Sequence, residues 1–130
     1  MKIHEKATMA FTREKLDELF PLERSDDFFD ALYGDAAEGA YDIRLVFRAA
    51  EEKTLHFAFE LRQRPGKCLA CNLTYGLPQV FMRHPIINLK GLAGELAGLL
   101  GWNAEALDVQ LGKTEENSSA LHVIPLRIQS

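Results

Sequence analysis

Apolar and polar residues alternate through the middle of the chain, between Tyr41 and Tyr75. Three segments there show a period of two and are rich in aromatic and aliphatic residues, the pattern of half-buried strands. It predicts a three-stranded antiparallel meander. Its apolar positions all have odd numbers: Tyr41, Ile43, Leu45, Phe47 and Ala49, then Leu55, Phe57, Phe59 and Leu61, then Leu69, Cys71, Leu73 and Tyr75.

The connections between these segments predict the register of the meander. In an antiparallel pair, the residue numbers of every two facing residues add up to the same value. Odd-numbered residues of two consecutive strands can therefore face each other only if an odd number of residues connects the strands. Segments 50–54 and 64–66 satisfy this condition. The predicted rows are Phe47–Phe57–Leu73 and Leu45–Phe59–Cys71 on the apolar face, and Arg44–Glu60, Arg48–His56 and Arg62–Cys68 on the polar face.

Two short helices are predicted before the meander. Thr12 is a favourable N-cap for the first helix, which Pro21 ends. Ser25 is a favourable N-cap for the second, and Gly34 suits its C-terminal end. Residues 1–10 have no clear period, so a flexible tail and a short edge strand both remain open.

A proline-containing apolar segment, residues 76–87, follows the meander. It either packs on the core as a lid or forms a contact surface. We favour packing, because large exposed apolar patches are uncommon on monomeric proteins.

Asn88 is predicted to cap a third helix, which Gly101 ends. At about 100° per residue, leucine and alanine side chains share one face and Gly91, Gly94 and Gly98 share the opposite one. Three glycines inside a helix cost about 3 kcal/mol relative to alanine. A second backbone that approaches closely would compensate for this cost. Both the N-terminal helices and a second subunit are candidates for that backbone.

Two further strands are predicted over residues 107–111 and 121–128. Pro125 lacks a backbone donor, which implies an edge strand or a bulge. The apolar positions change from odd to even numbers after Val123, which favours the bulge. The order helix, helix, three strands, helix, two strands predicts a single α+β domain with one mainly antiparallel sheet and helices on one face. In size, acidity and element order the chain resembles the small secretion-chaperone domains, without their C-terminal helix.

Composition narrows the classes of function. The chain has 130 residues, 47% hydrophobic and 26% charged, enough for a core without disulfides. The formal net charge of -4 and the acidic pI argue against a nucleic-acid surface. No segment predicts a membrane span, and the N-terminus lacks the apolar run of a secretory signal. We therefore expect an acidic cytoplasmic protein.

Cys68 and Cys71 form a CxxC motif, and His56 is a candidate third ligand of a metal site. Zinc requires four ligands. On a strand, residues three apart point to opposite faces with Cα atoms about 10 Å apart, beyond the roughly 7 Å limit for a disulfide. We favour a structural role for both cysteines and keep a thiol or metal site as an alternative.

The polar face of the meander offers a candidate small-anion site, at Arg44, Arg48, His56 and Arg62. The competing interpretation is a solvated face on which Arg44 pairs with Glu60. No nucleophile or acid–base pair with a catalytic arrangement can be named, so we expect neither catalytic residues nor a cofactor.

The sequence is best interpreted as a small non-enzymatic binding or adaptor domain that acts through protein–protein contacts. We expect a homodimer formed through Gly91, Gly94 and Gly98 of the third helix. The alternatives are the thiol or metal site at Cys68 and Cys71, and anion binding on the arginine and histidine face.

Overall fold

A computed structural model of the chain describes residues 3–21, 23–33, 41–64, 77–103, 107–118 and 120–130. These ranges form an α+β fold with five helices and a five-stranded sheet. The helices are α1 (Ile3–Ala10), α2 (Arg13–Leu19), α3 (Glu23–Tyr33), α4 (Leu77–Arg83) and α5 (Leu89–Gly98). The strands are β1 (Tyr41–Glu51), β2 (Thr54–Gln63), β3 (Asp108–Leu111), β4 (Glu115–Ser118) and β5 (Leu121–Gln129).

The sheet has the order β1-β2-β5-β3, and β4 pairs with β5 beyond the end of β3. All of these pairings are antiparallel. The β1–β2 hairpin has the predicted register over most of its length. Leu45 faces Phe59, Phe47 faces Phe57, and Arg44 faces Glu60, as the alternation predicts.

The sequence predicts a third meander strand beside β2, and this prediction is wrong. β5 pairs with β2 from Leu121 to Gln129, which leaves no place beside β2 for a strand from residues 69–75. The predicted rows that join β2 to Leu73, Cys71 and Cys68 are therefore also wrong. Residues 69–75 themselves lie outside the described ranges. Within the described ranges two strands precede α4 and three follow α5, where three and two were expected.

A β-bulge at Arg48 changes the register near the end of β1. The pairing shifts between Phe47 and Ala49, so that Ala49, not Arg48, faces His56. Ala50 turns towards the core opposite Leu55. The extra residue lets β1 continue through residue 51 to a tight turn, so the predicted five-residue connection and the predicted core position of Ala49 are wrong.

Pro125 lies in an inner, regular strand. β5 pairs with β2 without a register shift, and its even-numbered residues face the core throughout, so the predicted bulge within β5 is wrong. The interruption lies instead on the neighbouring side, between β3 and β4. The Gly112 amide donates to the Pro125 carbonyl oxygen at 2.8 Å. In an antiparallel strand the N–H and C=O of one residue point to the same neighbour. Hence the N–H that proline lacks would point towards residues 112–114, on the side of β5 away from β2.

Aromatic contacts join the helices to one face of the sheet. The Phe59 ring centroid lies 5.3 Å from that of Phe20, after α2, and 5.4 Å from that of Phe81 in α4. The Phe57 centroid lies 4.9 Å from that of Phe11, between α1 and α2. Such pairs add about 0.5–1.5 kcal/mol each to the burial of their rings. These helices therefore pack on the face that carries Phe57 and Phe59.

The N-terminal segments differ from the prediction in two respects. Residues 3–10 form α1 instead of a tail or an edge strand. Ser25 is not an N-cap: α3 begins at residue 23, and the fully buried Ser25 hydroxyl hydrogen-bonds the backbone of β1. The predicted N-cap at Thr12 is confirmed, because its hydroxyl accepts a hydrogen bond from the Lys15 amide at 3.2 Å.

The segment between the hairpin and β3 packs on the core through Phe81 and Ile87, which are both fully buried. In α5 the predicted apolar face is buried at Leu89, Leu92, Ala93 and Leu96. The helix ends at Gly98, so Leu99 lies past it and is 40% exposed. Within the part of the chain that the structure describes, no helix combines the length and apolarity needed to cross a membrane.

Candidate functional site

One row of side chains crosses four strands on the sheet face opposite the helices, called here the outer face. Ala49 of β1 faces His56 of β2, His56 faces Arg127 of β5, and Arg127 faces Gln110 of β3. Neighbouring strands in a sheet lie about 4.8 Å apart, so successive members of this row are within side-chain reach. The row brings an imidazole, a guanidinium and an amide together.

The adjacent row on the outer face is small and apolar. Val46 faces Ala58, Ala58 faces Pro125, and Gly112 hydrogen-bonds Pro125 from the other side. A Cβ atom at Gly112 would lie 3.2 Å from Cγ of Pro125, so the Gly112 backbone is in contact with the proline ring. Gly112 and Pro125 of this row therefore leave space above them, whereas Ala58 is fully buried.

A cavity of about 500 Å³ lies over the first row and over Pro125 and Gly112 of the second. Cavities of this volume are typical of sites for small organic ligands. Its floor is apolar and its walls carry cationic and polar groups. The residues that line it include Arg48, Ala49, His56, Gln110, Pro125 and Arg127.

The bulge in β1 explains how Arg48 contributes to this cavity. Successive residues of a regular strand point to opposite faces, which would separate Arg48 from Ala49. At the bulge both residues line the same cavity. Bulges re-aim side chains in this way beside binding sites. The Arg48 side chain crosses β2 and β5, and its Nη2 lies 3.5 Å from Oε1 of Glu115 in β4.

The polar side chains that line the cavity differ in the partners that they contact. Nε2 of His56 lies 3.7 Å from a carboxylate oxygen of Glu51, and Gln110 donates to Asp108 at 3.2 Å. Arg127 donates to the amide oxygen of Gln110, a neutral partner. Among the described residues no carboxylate pairs with Arg127. Gln110 thus links Arg127 to Asp108, and Arg127 is the lining arginine that no carboxylate of the described residues contacts directly.

Two of the four predicted anion-face residues line the cavity and two lie elsewhere. Arg48 and His56 line it. Arg62 pairs with Glu60 at 3.1 Å, towards the far end of the hairpin. Arg44 faces Glu60 across the strands, but its guanidinium lies 3.4 Å from the carboxylate of Asp17 in α2.

Asp17 is the acceptor for two arginines. Arg13 donates to it at 2.8 Å, and Arg44 approaches from β1. Burial of the Asp17 carboxyl acts to raise its pKa, but the hydrogen bonds and positive charges of Arg13 and Arg44 outweigh burial and lower the pKa below its usual value. Arg44 is thus part of the contact between α2 and the sheet and is not part of the cavity.

The sequence prediction missed Arg127 and Gln110. The alternation of β5 does carry a signal, because its even-numbered residues are apolar after Val123 and Arg127 has an odd number. That signal points to the outer face. It does not identify β2 as the neighbour, so His56 and Arg127 were not brought together by sequence reasoning.

The other predicted sites are only partly described by the structure. Cys68 and Cys71 lie outside the described ranges. The described residues contain no group of three or more histidine, cysteine, aspartate or glutamate side chains placed to hold a metal ion.

On the glycine face of α5, a Cβ at Gly91 would lie 2.4 Å from Nδ2 of Asn88, so Gly91 makes room for that side chain. Gly98 has open space, and Gly94 is half-buried.

Comparisons with protein-family models, with curated proteins and with solved structures give no significant match to this chain.

Proposed function

We propose that this protein is a small-ligand binding domain and that the cavity on the outer face holds an organic anion. The observation that carries the proposal is Arg127, a cation in a cavity of about 500 Å³ whose guanidinium no carboxylate of the described residues contacts directly. Arg48 and His56 lie at the same cavity. Guanidinium groups form paired, charge-assisted hydrogen bonds with carboxylates and phosphates, so an anion is the complementary ligand.

The proposal is tested by titrating the ¹⁵N-labelled protein with acetate and benzoate and following amide shifts by NMR. We expect saturable shifts at His56, Gln110 and Arg127. In Arg127→Gln the affinity should fall at least tenfold, because charge-assisted hydrogen bonds contribute about 1.5–3 kcal/mol.

The matched control is Arg62→Gln. Arg62 is also an exposed arginine of the outer face, but it pairs with Glu60 away from the cavity. This variant should bind the carboxylates as the wild type does. The proposal is wrong if the wild type shows no saturable shifts, or if both variants change the affinity equally.

A second candidate function is self-association through the glycine-bearing face of α5, as in a homodimeric adaptor. One observation favours it: Gly98 has open space, and the adjacent Leu99 is 40% exposed. Leu99 also lines a shallow apolar groove with Met9, which is 68% exposed. Multi-angle light scattering should then report a dimer for the wild type and a monomer for Gly98→Leu. A monomeric wild type would remove this candidate.

A further inference from the structure

The volume of the cavity argues for an organic ligand and against an inorganic ion. About 500 Å³ is many times the roughly 30 Å³ that one water molecule occupies in the liquid, and inorganic oxyanions are only a few times larger than water. An inorganic anion beside Arg127 would leave most of the cavity to solvent. A ligand that fills the cavity has to add a body to its charged group.

The floor of the cavity indicates the shape and polarity of that body. It is formed by Pro125 with Gly112 against its ring, and Ala49 lies at the neighbouring row. Pro125 and Ala49 have short apolar side chains and Gly112 has none, so no long side chain from these residues enters the space. A flat apolar group covers such a surface with the largest loss of water-exposed apolar area, which is the main source of affinity in ligand cavities.

The charges at the rim indicate how many negative charges the ligand carries. Among the described residues, three carboxylates at the rim contact lining side chains: Glu115 contacts Arg48, Glu51 contacts His56, and Asp108 contacts Gln110. Arg127 remains as the one lining cation whose described partner is neutral. A single carboxylate would supply the direct ion pair that Arg127 lacks among the described residues. A second or third charge would be repelled by the rim carboxylates, since like charges at these distances are unfavourable.

We propose that the cavity is specific for monocarboxylates with a flat apolar body, with the carboxylate against Arg127 and His56 and the body on Pro125 and Gly112. This inference rests on the proposed function of the same cavity. It adds that the ligand is singly charged and partly apolar, which distinguishes it from inorganic phosphate and from short polar acids.

The test is isothermal titration calorimetry of the full chain with four probes: benzoate, benzamide, acetate and inorganic phosphate. Benzamide has the shape of benzoate without its charge, and acetate has the charge without the ring. Benzoate should bind at least tenfold more tightly than each of the other three. Arg127→Gln should lower the affinity for benzoate to that for benzamide and leave the affinity for benzamide unchanged.

A second variant tests the floor independently of the charge. Gly112→Ala raises the floor beside Pro125, where the new Cβ would lie 3.2 Å from the proline ring. It should weaken benzoate and benzamide by the same factor and leave acetate unchanged. Circular dichroism and thermal unfolding of each variant verify that the protein is folded during the titrations.

The outcomes separate this inference from the function on which it rests. If phosphate or acetate binds as tightly as benzoate, and does so only with Arg127 present, the anion site stands and the ligand class is wrong. If no probe binds to the wild type, both proposals fail. If benzoate and benzamide bind equally, the charge match at Arg127 is refuted.

Discussion

Ser25 of α3 hydrogen-bonds the backbone of Ile43 in β1, on the edge of that strand that faces away from β2. The Ile43 amide donates to Oγ of Ser25 at 2.8 Å, and the hydroxyl lies 3.4 Å from the Ile43 carbonyl oxygen. Beside it, the Arg13 guanidinium of α2 donates to the carbonyl oxygen of Leu45. A helix side chain thus takes the place of a neighbouring strand, which blocks edge-to-edge pairing there.

Replacing Ser25 with alanine should destabilise the protein by about 1–3 kcal/mol, because the Ile43 amide would stay buried without a partner. Urea unfolding followed by circular dichroism measures the change. Ser130→Ala is the control, since Ser130 is exposed at the end of the chain. The role given to Ser25 is wrong if both variants unfold at the same urea concentration.

Replacing Asp17 with asparagine should destabilise the protein by about 0.2–1 kcal/mol at neutral pH, the range for partly exposed ion pairs. The lowered pKa of Asp17 sets the pH dependence. The carboxylate contributes its full stability above its unfolded pKa of about 3.9 and loses it as the pH falls through the lower folded value. The difference between wild type and Asp17→Asn should therefore vanish in strong acid.

Unfolding in urea at low salt, at pH 7 and at successively lower pH, measures this difference. Glu14→Gln removes an exposed carboxylate from the same helix and should change stability little at any pH. A difference between Asp17→Asn and wild type that stays constant down to the lowest pH would contradict the ion-pair interpretation.

Replacing Phe59 with alanine should cost about 3–5 kcal/mol, the usual range for a large buried aromatic residue. The Phe59 ring is fully buried and contacts both Phe20 and Phe81, so its removal leaves a cavity between the sheet and two helices. Chemical denaturation measures the loss. Met9→Ala, at a side chain that is 68% exposed, should change the free energy of unfolding by less than about 0.5 kcal/mol.

Two glycines with open surroundings should respond to alanine in opposite directions. Gly98 ends α5, and Gly98→Ala should stabilise a monomer by up to about 1 kcal/mol because alanine favours helix. Gly101 has a φ of 77°, so Gly101→Ala should destabilise by about 1 kcal/mol. Thermal unfolding of both variants measures the contrast. A destabilised Gly98→Ala would indicate that another surface packs on this residue.

Part of the candidate site could be predicted from the sequence. The alternation placed Arg48 and His56 on the polar face of the hairpin, and both line the cavity. The bulge brings Ala49 to the same cavity as Arg48, and the alternation does not predict it. Near the end of β1 both Ala49 and Ala50 are apolar, so the sequence does not show which of them faces the core. The sequence predicts that Arg127 lies on a strand, but it does not predict which strand lies beside it.

Local sequence patterns specify the buried face of β1 up to the bulge, of β2 and of α5. The register of β1 against β2, the apolar face of α5 and the cap at Thr12 all follow from spacing within a short segment, where loop length and periodicity restrict the geometry. The position of β5 beside β2 is established only by long-range contacts. A period of two specifies the buried face of a strand but not its neighbour. β2 ends at residue 63 and β5 begins at residue 121, so no short connection restricts their pairing. Contacts across that separation brought Arg127 to His56 and so formed the cavity.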